Sequence, residues 1–502
     1  MPSAVPNSTP TPATNAGLQR ALAWIQAGPK RLLIGGEWVE AKSGKTFETI
    51  NPATEQLLTS VAEADSADID AAVRAARRAF EAPSWAGVSP QARSRLLFKI
   101  ADLVDQHAEE LAALESLDNG SPLSSSTARV GQAADIFRYY GGWPSKVHGT
   151  TNPTDASTFL YMVREPMGVC ALINAWNVPL VMAVMKIAPA LACGNTMLMK
   201  PAEQTPLTTL RLGELIQDAG VPPGVVNIVP GFGPTAGAAM AAHPDIDKIA
   251  FTGSTGVGKY ILQASTGNLK KVTLELGGKS PNIIFPDADI DKAVEAAVNA
   301  FCRNSGQICS AGTRLFVQES LYDEITERVV RIASGYKVGS PFDPDTKLGP
   351  LISDKQMDRV LSYVDTGAAD GATLRCGGGR VGDVGYFVQP TVFSGVSNGM
   401  RIAQEEIFGP VLSVLPFKDE EDAIFQGNDT QYGLAAAVWT RDVSRAHKVA
   451  RALKTGRVWI NTYAEVDPSM SMGGYKQSGI GREMGAESIE AYTQTKSILM
   501  RL

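Results

Sequence analysis

The chain has 502 residues, 44 % hydrophobic, 20 % charged and 7 % aromatic, which marks a globular protein and excludes a fibrous or disordered one. At about 150 residues per domain, this length predicts about three domains. Basic residues number 46 and acidic ones 52, a net charge of −6, so the positive field that nucleic-acid binding needs is missing.

In chain order, the first seventeen residues (MPSAVPNSTPTPATNAG) are rich in Pro, Ser, Thr and Ala, with no basic residue before Arg20 and no apolar core. They read as a disordered tail rather than a targeting peptide, and residues 1–30 are expected to lie outside the fold. LLIGGEWVEA and TFETINPAT predict short strands, and ADIDAAVRAARRAFEA a helix capped by Asp68. Two more helical stretches follow, ARSRLLFKIADLVDQHAEELAALESL and SSTARVGQAADIFRYYGGW. KVHGTTNPTDASTFLYMVREPMG has β-forming ends around a polar turn and predicts a projecting hairpin, with the C-terminal SILMRL as its pairing strand.

From Gly168 short β-rich runs alternate with helical runs, the pattern of a doubly wound parallel sheet. After Gly278 the same rhythm returns, from SPNIIF to PVLSVLPF, and predicts a second α/β domain. The weakly polar stretch Gly168 to Met199 holds Asn174, Asn177, Pro179, Lys186 and Pro189, which argues against a membrane span. Five scattered cysteines (Cys170, Cys193, Cys302, Cys309, Cys376) without a CxxC pair give neither a disulfide framework nor a zinc site. A reducing compartment, by default the cytoplasm, and no metal are expected.

Two glycine clusters follow predicted strands, GFGPTAG (Gly231 to Gly237) and GSTGVGK (Gly253 to Lys259). Such turns let backbone N–H groups approach a phosphate, although an ordinary tight turn explains either cluster alone equally well. The second nearly fits the P-loop pattern, but Tyr260 stands where Ser or Thr would hold Mg²⁺. Cys309, in SGQICSAGTR, lies among small residues, where a substrate reaches a thiol. Glu275, thirty-four residues upstream in TLELGGKSPN, ends a predicted strand and is placed to serve as a general base. The four histidines lie outside any motif, so a Cys–His hydrolase has little support.

AWNVP, MKPAEQTP, FTGSTGVGK, LELGGKSPNII, FCRNSGQICSAGTRLFV, EEIFGPV and GGYKQSGIGRE occur together and in order. With them the chain closely resembles the aldehyde dehydrogenase superfamily, hydrolytic NAD(P)-dependent type, from about Leu33 to the C-terminus. The resemblance implies an α/β fold with a Rossmann-like cofactor domain (31–147 and 167–277), a second α/β catalytic domain (278–478) and a β-hairpin oligomerisation arm (148–166 and 486–502). It implies Cys309 as nucleophile, Glu275 as general base, and Asn177 with the Cys309 backbone N–H as oxyanion hole. Ile173, Trp176, Lys200, Glu203, Gly233, Gly253, Ser254, Leu276, Glu406 and Phe408 match the cofactor-binding positions. A carboxylate at Glu203 repels a 2′-phosphate, so NAD is expected over NADP. Two departures from the family pattern stand out: Asn174–Ala175 before Trp176, and Met472 in place of the usual Phe.

Positions that line the aldehyde tunnel in relatives are here Val178, Met182, Met185, Ile308, Val466, Met470 and Met472. They imply a soft, apolar, fairly wide tunnel. With no Arg or Lys among them, semialdehydes are not expected, and without an aromatic box neither is betaine aldehyde. The expected reaction is NAD-dependent oxidation of an apolar, aromatic aldehyde to its acid by a homodimer or homotetramer. The alternatives are medium-chain aliphatic aldehydes, acyl transfer to coenzyme A, or a catalytically silent structural protein.

Overall fold

The computed structural model describes residues 12–502. An eight-stranded sheet runs in the order Gly479–Ile480, Lys271–Glu275, Lys248–Thr252, Val169–Ile173, Thr196–Lys200, Val226–Ile228, Leu32–Ile34, Glu37–Val39. The five strands from Lys271–Glu275 to Val226–Ile228 are parallel, with antiparallel strands at both edges. Val169–Ile173, Thr196–Lys200 and Lys248–Thr252 are buried at every residue, as strands covered on both faces must be. The strand order reverses between Val169–Ile173 and Lys248–Thr252, and ligands of open α/β sheets bind beyond the carboxyl ends at such a point. Ile173, Lys200, Thr252 and Glu275 are the last residues of four adjacent strands, so one edge of the sheet presents them all.

The second sheet has seven strands, Thr373–Cys376, Thr391–Ser394, Val411–Phe417, Arg314–Gln318, Pro281–Ile284, Ala435–Trp439 and Arg457–Ile460, parallel except for the first. Thr158–Pro166 pairs antiparallel with Thr150–Asn152 on one side and Thr493–Arg501 on the other. This three-stranded sheet exposes Phe159, Leu499 and Met500.

Three local expectations need correction. From Pro12 the tail is a helix, Pro12–Gln26, with Ala21 and Ile25 buried. Its Arg20 donates to Glu109 (2.8 Å) and its Trp24 to Glu214 (3.0 Å). The 3.6-residue spacing of Leu18, Ala21, Leu22 and Ile25 outweighs the Pro/Ser/Thr composition before it; residues 1–11 lie outside the described residues. The helix Ser66–Glu81 is capped by Asp65, while Asp68 at its third position closes a capping box. The long helical stretch breaks at His107 into Pro90–Gln106 and Ala108–Asn119.

Candidate functional site

At the carboxyl edge of the large sheet, a cleft of about 690 Å³ is lined by Ile173, Trp176, Lys200, Glu203, Gly233, Gly253 and Ser254. Ser254 caps the helix Thr255–Ala264 and aims its free N–H groups into this space. The first glycine cluster forms a single π-helical turn, Gly233–Gly237, on the opposite wall. Lys200 is almost fully buried, and its Nζ donates to the Pro201 carbonyl (3.0 Å) and to Glu203 (3.5 Å). Burial lowers its pKa, and Glu203 opposes that. Asn174 is buried beside the cleft with both ends of its amide unpartnered. The helix N-terminus, the small-residue walls and the Lys200–Glu203 pair fit phosphate and ribose hydroxyls, hence a dinucleotide.

A second cleft, about 360 Å³, continues from the first and is lined by Trp176, Asn177, Leu276, Glu406, Phe408 and Cys309. Phe408 takes a positive φ of 63° and meets the Trp176 ring edge-on, centroids 5.1 Å apart. Glu406 accepts from the Gly278 N–H (3.0 Å), and burial pushes its pKa up to about 7. A Cβ at Gly277 would lie 2.3 Å from Glu406 Oε2, so only glycine allows this approach.

Cys309 follows a tight turn in which Asn304 and Ser305 have φ of 53° and 56°. The turn is held from several sides. Asn304 Nδ2 donates to the Asn177 carbonyl (2.9 Å), while Ser121 Oγ (2.6 Å) and Arg129 Nη2 (3.1 Å) donate to Asn304 Oδ1. Ser305 Oγ donates to the Gly349 carbonyl (2.7 Å), and Gln307 Oε1 accepts from the Ile352 N–H (2.9 Å). Asn177 Nδ2 donates one hydrogen to the Gln307 carbonyl (2.9 Å), which fixes the amide and leaves its other hydrogen free. Burial, then the carboxylates of Glu406 and Glu275, push the Cys309 thiol up to about 12.

Glu275, 1 % exposed, has no hydrogen-bond partner on either oxygen. Burial, and next the negative charge of Glu483, hold its pKa well above the carboxylate range. Glu483 pairs with the fully buried Lys186 (2.7 Å), and Lys186 donates to Thr252 Oγ1 (2.7 Å). Sequence reasoning missed this ion pair; the only signal was a lysine inside the otherwise apolar helix Pro179–Ala192.

On the far side of Cys309 from the dinucleotide clefts lies a third cavity, of about 100 Å³. Val178, Met182, Met185, Ile308, Val466 and Met472 line it as expected. Met470 does not: only its carbonyl has a role nearby, accepting from Arg457 (3.0 Å). Trp459 and Tyr463, which sequence reasoning missed, complete the apolar wall. The expectation of a tunnel without cations also fails, because Arg129, Arg303 and Arg457 line the cavity. Cys309, Asn177, Met182 and Thr252 face both this cavity and the second cleft, so the thiol stands where the two meet.

A doubly wound sheet with a nucleotide-sized cleft at its switch point, opening onto a half-buried thiol, defines a dinucleotide-linked oxidoreductase class. Residues 38–498 match the aldehyde dehydrogenase family, to which the chain belongs, and it is an enzyme that oxidises aldehydes. It is 52 % identical over 480 residues to the mitochondrial aldehyde dehydrogenase family 2 member B4 of Arabidopsis thaliana, covering 95 % of this chain and 89 % of that one. It is 51 % identical to the human mitochondrial aldehyde dehydrogenase, covering 94 % and 92 %. Among solved structures, the NAD+ complex of the Bacillus cereus aldehyde dehydrogenase matches with a TM-score of 0.95 and 48 % identity, covering 99 % of this chain and 100 % of that one. Betaine aldehyde dehydrogenase of Staphylococcus aureus in complex with NAD+ matches with a TM-score of 0.95 and 41 % identity, covering 97 % of each.

Proposed function

We propose that the chain oxidises apolar, aromatic aldehydes to carboxylic acids with NAD, using Cys309 as nucleophile, Asn177 as oxyanion donor and Glu275 as general base. The observation that carries this reading is the position of Cys309 at the junction of the dinucleotide clefts and a separate apolar cavity. NAD, when bound, supplies the hydride acceptor. Ser254 and its helix would hold its phosphates, Lys200 and Glu203 a ribose, and Glu406 and Phe408 the nicotinamide side. Glu203, with its carboxylate partly exposed in the cleft, favours NAD over NADP.

A thiol raised to about 12 is neutral at working pH, so Glu275 takes its proton as the sulfur adds to the aldehyde carbon. The free hydrogen of the Asn177 amide and the Cys309 backbone N–H hold the oxyanion; donors of this kind contribute about 3–4 kcal/mol each. After hydride departure Cys309 carries a thioester. Glu275 passes the thiol's proton on to solvent and, with its oxygens again unencumbered, removes a proton from water; attack by that water releases the acid, and the proton held by Glu275 returns to the Cys309 thiolate.

Trp459, Tyr463, Met182, Met185 and Met472 support an aromatic substrate, since thioethers and rings pack favourably on a planar ring. Guanidinium groups in the same wall argue against a quaternary ammonium. The exposed apolar residues of the three-stranded sheet support a homodimer or homotetramer. All five cysteines are free, which fits a reducing compartment such as the cytoplasm. The test is Cys309→Ala: NADH formation from benzaldehyde should vanish while calorimetry still records NAD binding. Retained turnover would remove Cys309 from the mechanism, and a wild-type preference for acetaldehyde would overturn the aromatic reading.

A further inference from the structure

The cavity beside Cys309 carries more charge than an apolar aldehyde needs. Of the acids near it, Glu483 is bound by Lys186 (2.7 Å) and Glu115 by Arg129 (3.4 Å). Arg303, exposed on the cavity wall and six residues before Cys309, has no carboxylate within ion-pair distance among the described residues; its Nη1 donates to the Ala464 carbonyl (3.1 Å). Arg129 lies close by, since its Nη2 donates to the side chain of Asn304, the residue that follows Arg303 (3.1 Å). Desolvation, and then this like charge, lower the Arg303 pKa. Gln132 adds a half-buried amide to the same wall. Glu115 compensates the Arg129 guanidinium (3.4 Å), so the Arg303 charge is the one that faces the cavity without an ion-pair partner among the described residues, and an entering anion would be attracted to it.

We propose that Arg303, backed by Arg129, is a specificity-determining residue that binds a carboxylate at the end of the substrate remote from the aldehyde. The substrate class is then an aldehyde with an apolar, ring-sized middle and an anionic far end. The middle lies against Met182, Trp459 and Tyr463, and the aldehyde carbon reaches Cys309. This rests on the reading of Cys309 as the nucleophile of the aldehyde site and refines the substrate within it. Arg457 is a less suitable anchor: its Nη2 is committed to the Met470 and Ser471 carbonyls (3.0 and 3.1 Å), and its charge is felt by Cys309 and Glu275 at the chemical end.

The test compares 4-carboxybenzaldehyde with 4-methylbenzaldehyde, which match in shape and differ in charge, using full-length wild type, Arg303→Met and Arg303→Lys. Wild type should favour the carboxylated aldehyde at least tenfold in kcat/KM. Arg303→Met should lower that ratio at least tenfold, mainly through KM for the carboxylated aldehyde, and Arg303→Lys should restore part of it. Terephthalate should compete with either aldehyde in wild type and lose that competition in Arg303→Met. A wild-type ratio below one, or a ratio that survives Arg303→Met, overturns the assignment. Turnover of neither aldehyde, with Cys309→Ala indistinguishable from wild type on benzaldehyde, would instead overturn the mechanism on which it rests.

Discussion

At the scale of single residues the site is governed by what its carboxylates and thiol lack. Glu275 has no donor on either oxygen, so its proton is retained to a higher pH than in the unfolded chain. Between the unfolded pKa of about 4.3 and the raised folded value the native state holds one more proton than the unfolded state, so stability falls as pH rises through that window. Glu275→Gln keeps the shape and removes the ionisation. Its thermal midpoint should exceed that of wild type at pH 8 and converge with it toward pH 4.5, by differential scanning fluorimetry. The same variant should lose both a rapid first equivalent of NADH and steady-state turnover, because the thiol and the hydrolytic water share this one base; unchanged steady-state turnover would contradict that role. Asn177→Ala should lower kcat about 10²–10³-fold with little change in KM, the size expected for one lost oxyanion donor.

Cys309 and Glu275 could be singled out as candidates from their short motifs, whereas Asn177 came forward only through the family resemblance. Arg303 was printed within the same motif as Cys309, yet its relation to Arg129 exists only once Asn304 bridges them. Trp459 and Tyr463 come from the end of the second sheet and the loop after it. No local spacing places them against Met182, and none shows that the Met470 side chain turns elsewhere.

Among the elements, alternating strands and helices announced both parallel sheets, since buried strands and amphipathic helices differ in period. Boundaries were less legible. The cap at Asp65 was misassigned by three residues because Asp65 and Asp68 share one capping box, the first accepting from the Ala67 N–H (2.8 Å) and the second from the Asp65 N–H (3.1 Å). Asp65→Ala should cost about 1 kcal/mol, read as a lower midpoint of thermal inactivation. The N-terminal helix was hidden because composition was read there and periodicity was not; its buried Ala21 and Ile25 show which signal mattered.

For the whole molecule, the three-stranded sheet joins two segments far apart in sequence, Thr493 opposite Pro166 through Arg501 opposite Thr158. The hairpin and its pairing strand were visible as β-forming runs with a polar turn, but the register was not, because the exposed face carries no strong alternation to set it. Removing residues 493–502 opens the edge of Thr158–Pro166. Light scattering should then report a smaller assembly than for the full chain, and an unchanged mass would exclude this sheet from the subunit contact.

The clefts on either side of Cys309 touch at four residues and otherwise have walls of their own. In the proposed reaction each reactant would have its own doorway, and neither would have to depart for the other to pass. A spent cofactor could then leave and a fresh one arrive while an acyl group stayed tethered to sulfur, so that affinity and charge rather than obstruction would set the sequence of arrivals and departures.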